Sequence, residues 1–568
     1  LSAKIKLPYR ITYEVNFSPR YSWYYYRNWK SSENIDDTNN GYVKRQSTKY
    51  FDWMLDNMLK WDYTINDVHR VGITLLQNAE EHKTWSETME ASDFNPSDAL
   101  GWHYVTSATN KVISASDTHS TGDALMARLF YSYDNRYLTT ISLRRDGYSA
   151  FGNSNKRATF PSVALGWVFT NEKFFKWSPM SNGKLRLSWG RNGNRNIGIY
   201  QALSNLTTGS GKYTYIDKTG SISEVSMLYI NRMANNDLKW ETTTSWNTGI
   251  DFGFLKNRIS GSIDYYYMPT TDLLMARSLP DFTGFSSITT NLGKIINKGL
   301  EFSLNTVNIQ HNNLKWTTTI GFSTNKNEIK HLYYTYEDVF DTSGNIIGKK
   351  EVNDTSNGWF IGKDINTIWD YKCIGIWQKG EESQAALYGQ KPGDAKGLDV
   401  NGDHAFSSKD DKVFLGQTTP KFRWSIRNDF TIMKNLSVSV NIYSYWGHKA
   451  ATTSYLHNLG ADNGRTNDYA EKYWTPENPS TRYARLNSTL PSNISPKLVM
   501  DKSFIRLENI SLSYDLPSKI ARKIEAQQVR FFGSIRNVAV WTKEWEYWDP
   551  EITGPVPRTL TIGASLVF

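Results

Sequence analysis

The residues best spaced for chemistry lie in one stretch: Asp399, Asn401, Asp403, Ser407 and Asp410, with the Ala405 carbonyl between them. A loop that wraps a hard cation needs oxygen donors at positions 1, 3, 5, 9 and 12 and a backbone carbonyl at 7. Counted from Asp399, these side chains and the Ala405 carbonyl fill all of those places. The pattern leads to an expectation of Ca2+, or Mg2+, held by an EF-hand-like loop in a structural role. Two features depart from it: His404 stands where a glycine is usual, and Asp410 is shorter than the usual glutamate. A solvated acidic turn is the competing reading.

Other chemistry is sparse. The chain has no H-E-x-x-H and no G-x-S-x-G, and its nine histidines are scattered. Gly209-Ser210-Gly211-Lys212-Tyr213 fails as a phosphate loop, because Leu206 stands where a glycine is required and Tyr213 where Ser or Thr is. The expectation is a protein that is not an enzyme. Aromatic clusters at Tyr21–Trp29, Trp359–Phe360, Trp369–Trp377 and Trp541–Trp548 suit sugar stacking, an interfacial girdle or a protein contact.

The elements that position these residues read as strands. Over 568 residues the mean hydropathy is −0.55, with no run long and apolar enough for a membrane helix. A β-barrel remains open, because a strand shows lipid only every second residue. With Cys373 as the single cysteine, internal disulfides and cysteine-based metal sites are excluded. The net charge of +9 is scattered, which suits anionic lipid headgroups better than nucleic acid.

At the end of the chain Leu560, Ile562, Ala564, Leu566 and Phe568 alternate with Thr559, Thr561, Gly563 and Ser565. Leu436, Val438, Val440 and Ile442 alternate likewise with Ser437, Ser439, Asn441 and Tyr443. About sixteen such strands can be read, with short and long gaps alternating as in an outer-membrane barrel of short periplasmic turns and long extracellular loops. The long gaps include 19–49, 78–122 and 326–420 in this reading. The fold class expected is all-β, a transmembrane antiparallel β-barrel. The chain opens on Leu1 in mid-strand with no signal peptide, so upstream sequence is expected.

Several segments together resemble one family. They are Arg145-Asp146-Gly147-Tyr148-Ser149-Ala150-Phe151-Gly152, Phe160-Pro161-Ser162, Leu238-Lys239-Trp240-Glu241, Thr271-Asp272-Leu273-Leu274, Asn291-Leu292-Gly293, Phe504-Ile505-Arg506-Leu507-Glu508-Asn509 and Asp549-Pro550-Glu551. The chain resembles the SusC/RagA-like TonB-dependent transporters of the Bacteroidetes outer membrane. That resemblance implies a barrel of about twenty-two strands around a plug. It also implies a SusD-like lipoprotein lid, energy from the TonB–ExbB–ExbD complex, and import of a large nutrient, an oligosaccharide or a peptide. Neither a plug nor a TonB box is found here, so residues 1–568 are expected to be the C-terminal part of such a barrel. Its partners would then include the transporter's own plug and N-terminal barrel segment as well as outer-membrane lipid. A passive porin and a barrel-based surface enzyme or adhesin are the alternatives.

Overall fold

A computed structural model describes residues 1–34, 37–95, 97–456, 471–552 and 554–568. Among them no helix is long and apolar enough to cross a membrane. The chain divides into two units: Leu1–Val168, Arg186–Trp246 and Pro269–Lys294 form the first, and Phe169–Leu185, Asn247–Met268 and Ile295–Phe568 the second.

The first unit is built on an antiparallel meander. Ser2–Lys6, Ile11–Lys30, Tyr42–Ile65, His69–Phe94, Ala108–Tyr133, Tyr137–Tyr148 and Arg157–Trp167 each pair with the next. Tight hairpins are made where Asn66 and Asp67, and Asp134 and Asn135, take left-handed φ of 49–57°, the conformation that a two-residue turn needs to match strand twist. Register then sorts the faces. Trp61, Ile73, Leu129, Ile141 and Val163 form one cross-strand row, and Leu59, Leu75, Ala127 and Leu143 the row above it. Met58, Leu76, Met126 and Arg144 fall on the opposite face, followed by Asp56, Asn78, Ala124 and Asp146. Leu75, Leu125 and Leu143 remain 47%, 57% and 53% exposed. A sheet that leaves leucines outward in rows and charges on the other face is built for hydrocarbon outside and water inside.

Aromatic rings border the apolar rows. Trp61 stacks on Tyr63 at 5.8 Å near the tight turns, and Tyr21 meets Phe51 at 6.2 Å further along the same face. Phe51 and Trp61 are ten residues apart on one strand. At about 3.3 Å per residue and a tilt of about 40° that is about 25 Å, the height of an outer-membrane apolar band.

The long gaps expected at 19–49 and 78–122 are mostly strand. Ile11–Lys30, Tyr42–Ile65, His69–Phe94 and Ala108–Tyr133 run for 20, 24, 26 and 26 residues, about twice what a membrane crossing takes. Beyond the apolar band neither face meets lipid, and the buried residues Val43, Ala91, Phe94 and Ala108 gather in one cluster at the far end. The period-two pattern that marks a strand in sequence therefore disappears while the hydrogen-bond ladder continues.

In the second unit Leu314–Thr324, Phe422–Ile432, Leu436–Trp446, Phe504–Asp515, Gln528–Thr542 and Thr559–Val567 form a second meander. Val440, Ile510, Ile535 and Leu560 make an apolar row, and Ser303, Gly321, Ser425, Tyr443 and Arg506 lie on the polar face. The faces read from Leu436–Tyr443 and Thr559–Phe568 are those observed. The excursions at 326–420 and 446–503 pack on each other, although residues 457–470 of the second lie outside the described residues. Their common core holds Cys373, Ile376, Ala395, Tyr455, Leu456, Trp474 and Ala484. Thr367–Tyr371 pairs with Lys412–Gln417, and Lys449–Thr452 with Leu498–Asp501.

Candidate cation loop, polar wall and motif junctions

The acidic loop at 399–411 is closed by its own backbone. Gly402 N–H donates to Asp399 Oδ1 at 2.6 Å, and His404 N–H to Asp399 Oδ2 at 2.9 Å. Asp403 N–H donates to Asn401 Oδ1 at 3.1 Å, and Ala405 N–H to Asp403 Oδ1 at 2.8 Å. Asp399, Asn401 and Asp403 thus turn into one loop, and His404 adopts φ 63°, the left-handed conformation expected where a glycine is usual. Asp410 instead accepts from Ser407 Oγ at 2.8 Å.

The residue that sequence reading missed is Asp411. It is 1% exposed and accepts from Val400 N–H at 3.0 Å and Ser407 N–H at 2.8 Å. No ligand spacing signals it, because its partners are backbone amides. Burial pushes the Asp399 carboxyl up, but the amides of Gly402 and His404 and the Tyr388 hydroxyl outweigh that and hold it below its ordinary value. Burial, and then the bond to Asp399, pushes the Tyr388 phenol up to about 12. Among the described residues no group of three or more His, Cys, Asp or Glu side chains is arranged to hold a metal ion. Oxygens of Asn401, Ser407 and the Ala405 carbonyl would therefore have to complete any cation shell.

The polar wall of the first unit holds a recess of about 740 Å³ that takes in Asp56, Glu80, Arg144, Asp146, Arg195 and Trp240. Its charges are largely compensated in place. Arg144 Nε donates to both Asp146 carboxylate oxygens at 2.9 Å, and Arg195 pairs with Glu80. Nearby, Asp52 meets Arg20 at 2.9 Å and His82 Nδ1 at 3.0 Å. The second unit has a recess of about 490 Å³ lined by Asp264, Glu301, Ser303, Arg423, Tyr443 and Tyr445. Such walls offer hydrogen-bond donors and acceptors to a polar solute.

The segments that carry the family resemblance meet in space. In the first unit Trp240 stacks on Phe151 at 4.8 Å and meets Phe160 edge-on at 5.6 Å. Gly152 N–H donates to the Leu238 carbonyl at 3.0 Å. Asn291 closes the junction: its Nδ2 donates to the carbonyls of Lys239 at 2.7 Å and Asp272 at 2.9 Å, and its Oδ1 accepts from Lys239 N–H at 2.8 Å. In the second unit Arg506, 2% exposed, donates through Nη2 to both Asp549 oxygens at 2.6 and 2.7 Å. Its Nε reaches Glu551 at 2.8 Å, where Tyr443 OH also donates at 2.5 Å. These contacts fasten the connection 543–558 against the strand wall.

The aromatic clusters divide. Phe360 and Trp377 are 7% and 4% exposed and belong to the packed excursions, whereas Trp23 and Tyr25 stay 61% and 66% exposed.

The family model for TonB dependent receptor-like β-barrels matches residues 6–538. TonB-dependent receptor P26 of Formosa agariphila is 28% identical over 562 residues, covering 94% of this chain and 55% of that protein. TonB-dependent receptor SusC of Bacteroides thetaiotaomicron is 30% identical over 472 residues, covering 80% of this chain and 44% of that protein. The solved RagAB peptide transporter superposes with a TM-score of 0.77 at 20% identity, over 100% of this chain and 61% of that one, a likeness of fold. The chain spans about half the length of the curated relatives it matches.

Proposed function

This chain belongs to the TonB-dependent receptor-like β-barrel family of outer-membrane proteins, and from that premise we propose that it forms the barrel wall of an active importer of a large polar nutrient. The observation that carries the proposal is the match across residues 6–538, together with a wall that is leucine-rich on one face and ion-paired on the other. An oligosaccharide or a peptide is the substrate class we propose; the solved RagAB protein, alike in fold, is a peptide transporter. A SusD-like lipoprotein would cover the extracellular excursions, and the TonB–ExbB–ExbD complex would supply energy through a plug belonging to the same transporter. Deletion of the complete transporter gene should abolish uptake of fluorescent oligosaccharide or oligopeptide by the parent cells. A protonophore should abolish uptake in the parent as well, whereas uptake that resists it would favour a passive porin.

We further propose that the Asp399–Asp410 loop accepts one Ca2+ or Mg2+. The left-handed His404 and the loop amides that donate to Asp399, Asn401 and Asp403 support it. Asp410 would then exchange Ser407 for the ion. Calorimetry on chelator-treated protein should show heat on Ca2+ addition that D403N removes, and absence of heat in the parent would refute the site.

A further inference from the structure

The tight connections of the second unit at 255–258, 312–313 and 433–435 are short, but the one between Phe504–Asp515 and Gln528–Thr542 runs over 516–527. It forms an α-helical turn, Ser518–Ala521, continued by a 3-10 turn, Arg522–Ile524. The direction in which it folds is set by its core. Ala521 and Ala526, 0% and 2% exposed, cover Val529 and pack with Leu516. Val529 is in register with Leu566, two residues along each strand from the pair Phe531 and Ala564. These residues share the apolar face, so the connection folds back over the lipid side of the sheet rather than the polar side.

Its free surface has an unusual composition. Ile520 and Ile524 stand four residues apart and are 48% and 51% exposed. Lys519, Arg522 and Lys523 are exposed between and beside them, and Glu525 is the one acidic residue in 516–527. Two exposed isoleucines four residues apart among three cations give the turn a small amphipathic surface. At the level of phospholipid headgroups the same arrangement is favourable, with apolar side chains in the acyl boundary and cations at the phosphates.

We propose that residues 516–527 are an interfacial foot that binds the anionic phospholipid headgroups of the inner leaflet. Ile520 and Ile524 enter the acyl boundary, and Lys519, Arg522 and Lys523 engage the phosphates. The inference rests on the outer-membrane reading of the barrel but not on what the barrel imports.

The test uses the complete transporter in detergent, offered equimolar phosphatidylglycerol and phosphatidylcholine and weighed with its retained lipids by native mass spectrometry. The parent should retain phosphatidylglycerol by about tenfold over phosphatidylcholine, and K519Q/R522Q/K523Q should retain the two about equally. K519Q alone, at an exposed position, should lose about twofold, one of three equal shares of the tenfold preference, and K434Q in a different turn should lose nothing. Equal retention by the parent, or an unchanged preference in the triple variant, overturns the proposal. Heat-modifiable migration on gels reports barrel integrity in each variant, so a failed barrel is told apart from a lost lipid site.

Discussion

Arg506 shows how much one side chain carries. Its side chain, buried, holds an aspartate side chain that is 5% exposed and a glutamate from the same connection. Removing one partner of a buried ion pair strands the other without water, here Asp549, which costs about 3–5 kcal/mol. R506M should therefore release 543–558 and make it cleavable by added protease while the strand wall survives. Within the acidic loop the residue scale separates neighbours. Val400 N–H and Ser407 N–H donate to different oxygens of Asp411, so D411N leaves one of them without an acceptor and should loosen the loop by about 1–3 kcal/mol, read as faster amide exchange at Val400 or Ser407. D410N should leave those amides unchanged and weaken only Ca2+ binding. The Asp399 carboxyl is held below its ordinary value in the folded loop, so its contribution is complete above the unfolded value. It is lost as the pH falls below about 4. Protection of the Gly402 and His404 amides, corrected for intrinsic rates, should drop in that window and become flat with pH in D399N.

At the scale of elements, the strands were legible where lipid lies on one side of them. Leu436–Ile442 and Thr559–Phe568 show alternation because one face must be apolar, and the observed register keeps those faces. Residues 19–30 and 80–94 were not legible as strands. Neither stretch carries a lipid face, and burial is confined to Ala91 and Phe94 at the far end, so no period is written into Tyr21–Lys30 or Glu80–Phe94. The acidic loop was found from its oxygen spacing, but Asp411 and Tyr388, which fasten Asp399 and its neighbours, act through backbone and over distance in sequence. The family segments were visible as letters, whereas their meeting at Trp240 and Arg506 was not. Trp240 is 5% exposed and joins three of those segments, so W240A should cost about 3–5 kcal/mol. It should also lower the temperature at which the barrel loses heat-modifiable migration.

At the scale of the whole molecule, the proposed function is active import through a barrel to whose wall this chain contributes. An apolar band about 25 Å tall between aromatic rows fixes the sheet at membrane depth, and strands twice as long as that band carry the wall outward into water. Compensated charge on much of the polar face provides a wetted surface on which a polar solute can exchange hydrogen bonds. Such a wall does not by itself supply directionality, which is why energy coupling decides between an importer and a porin. The most direct measurement is uptake of labelled oligosaccharide and oligopeptide by cells that carry the complete transporter, compared with and without TonB. Uptake of one of the two should be saturable and should be lost when TonB is removed. Uptake that continues unchanged without TonB would contradict active import.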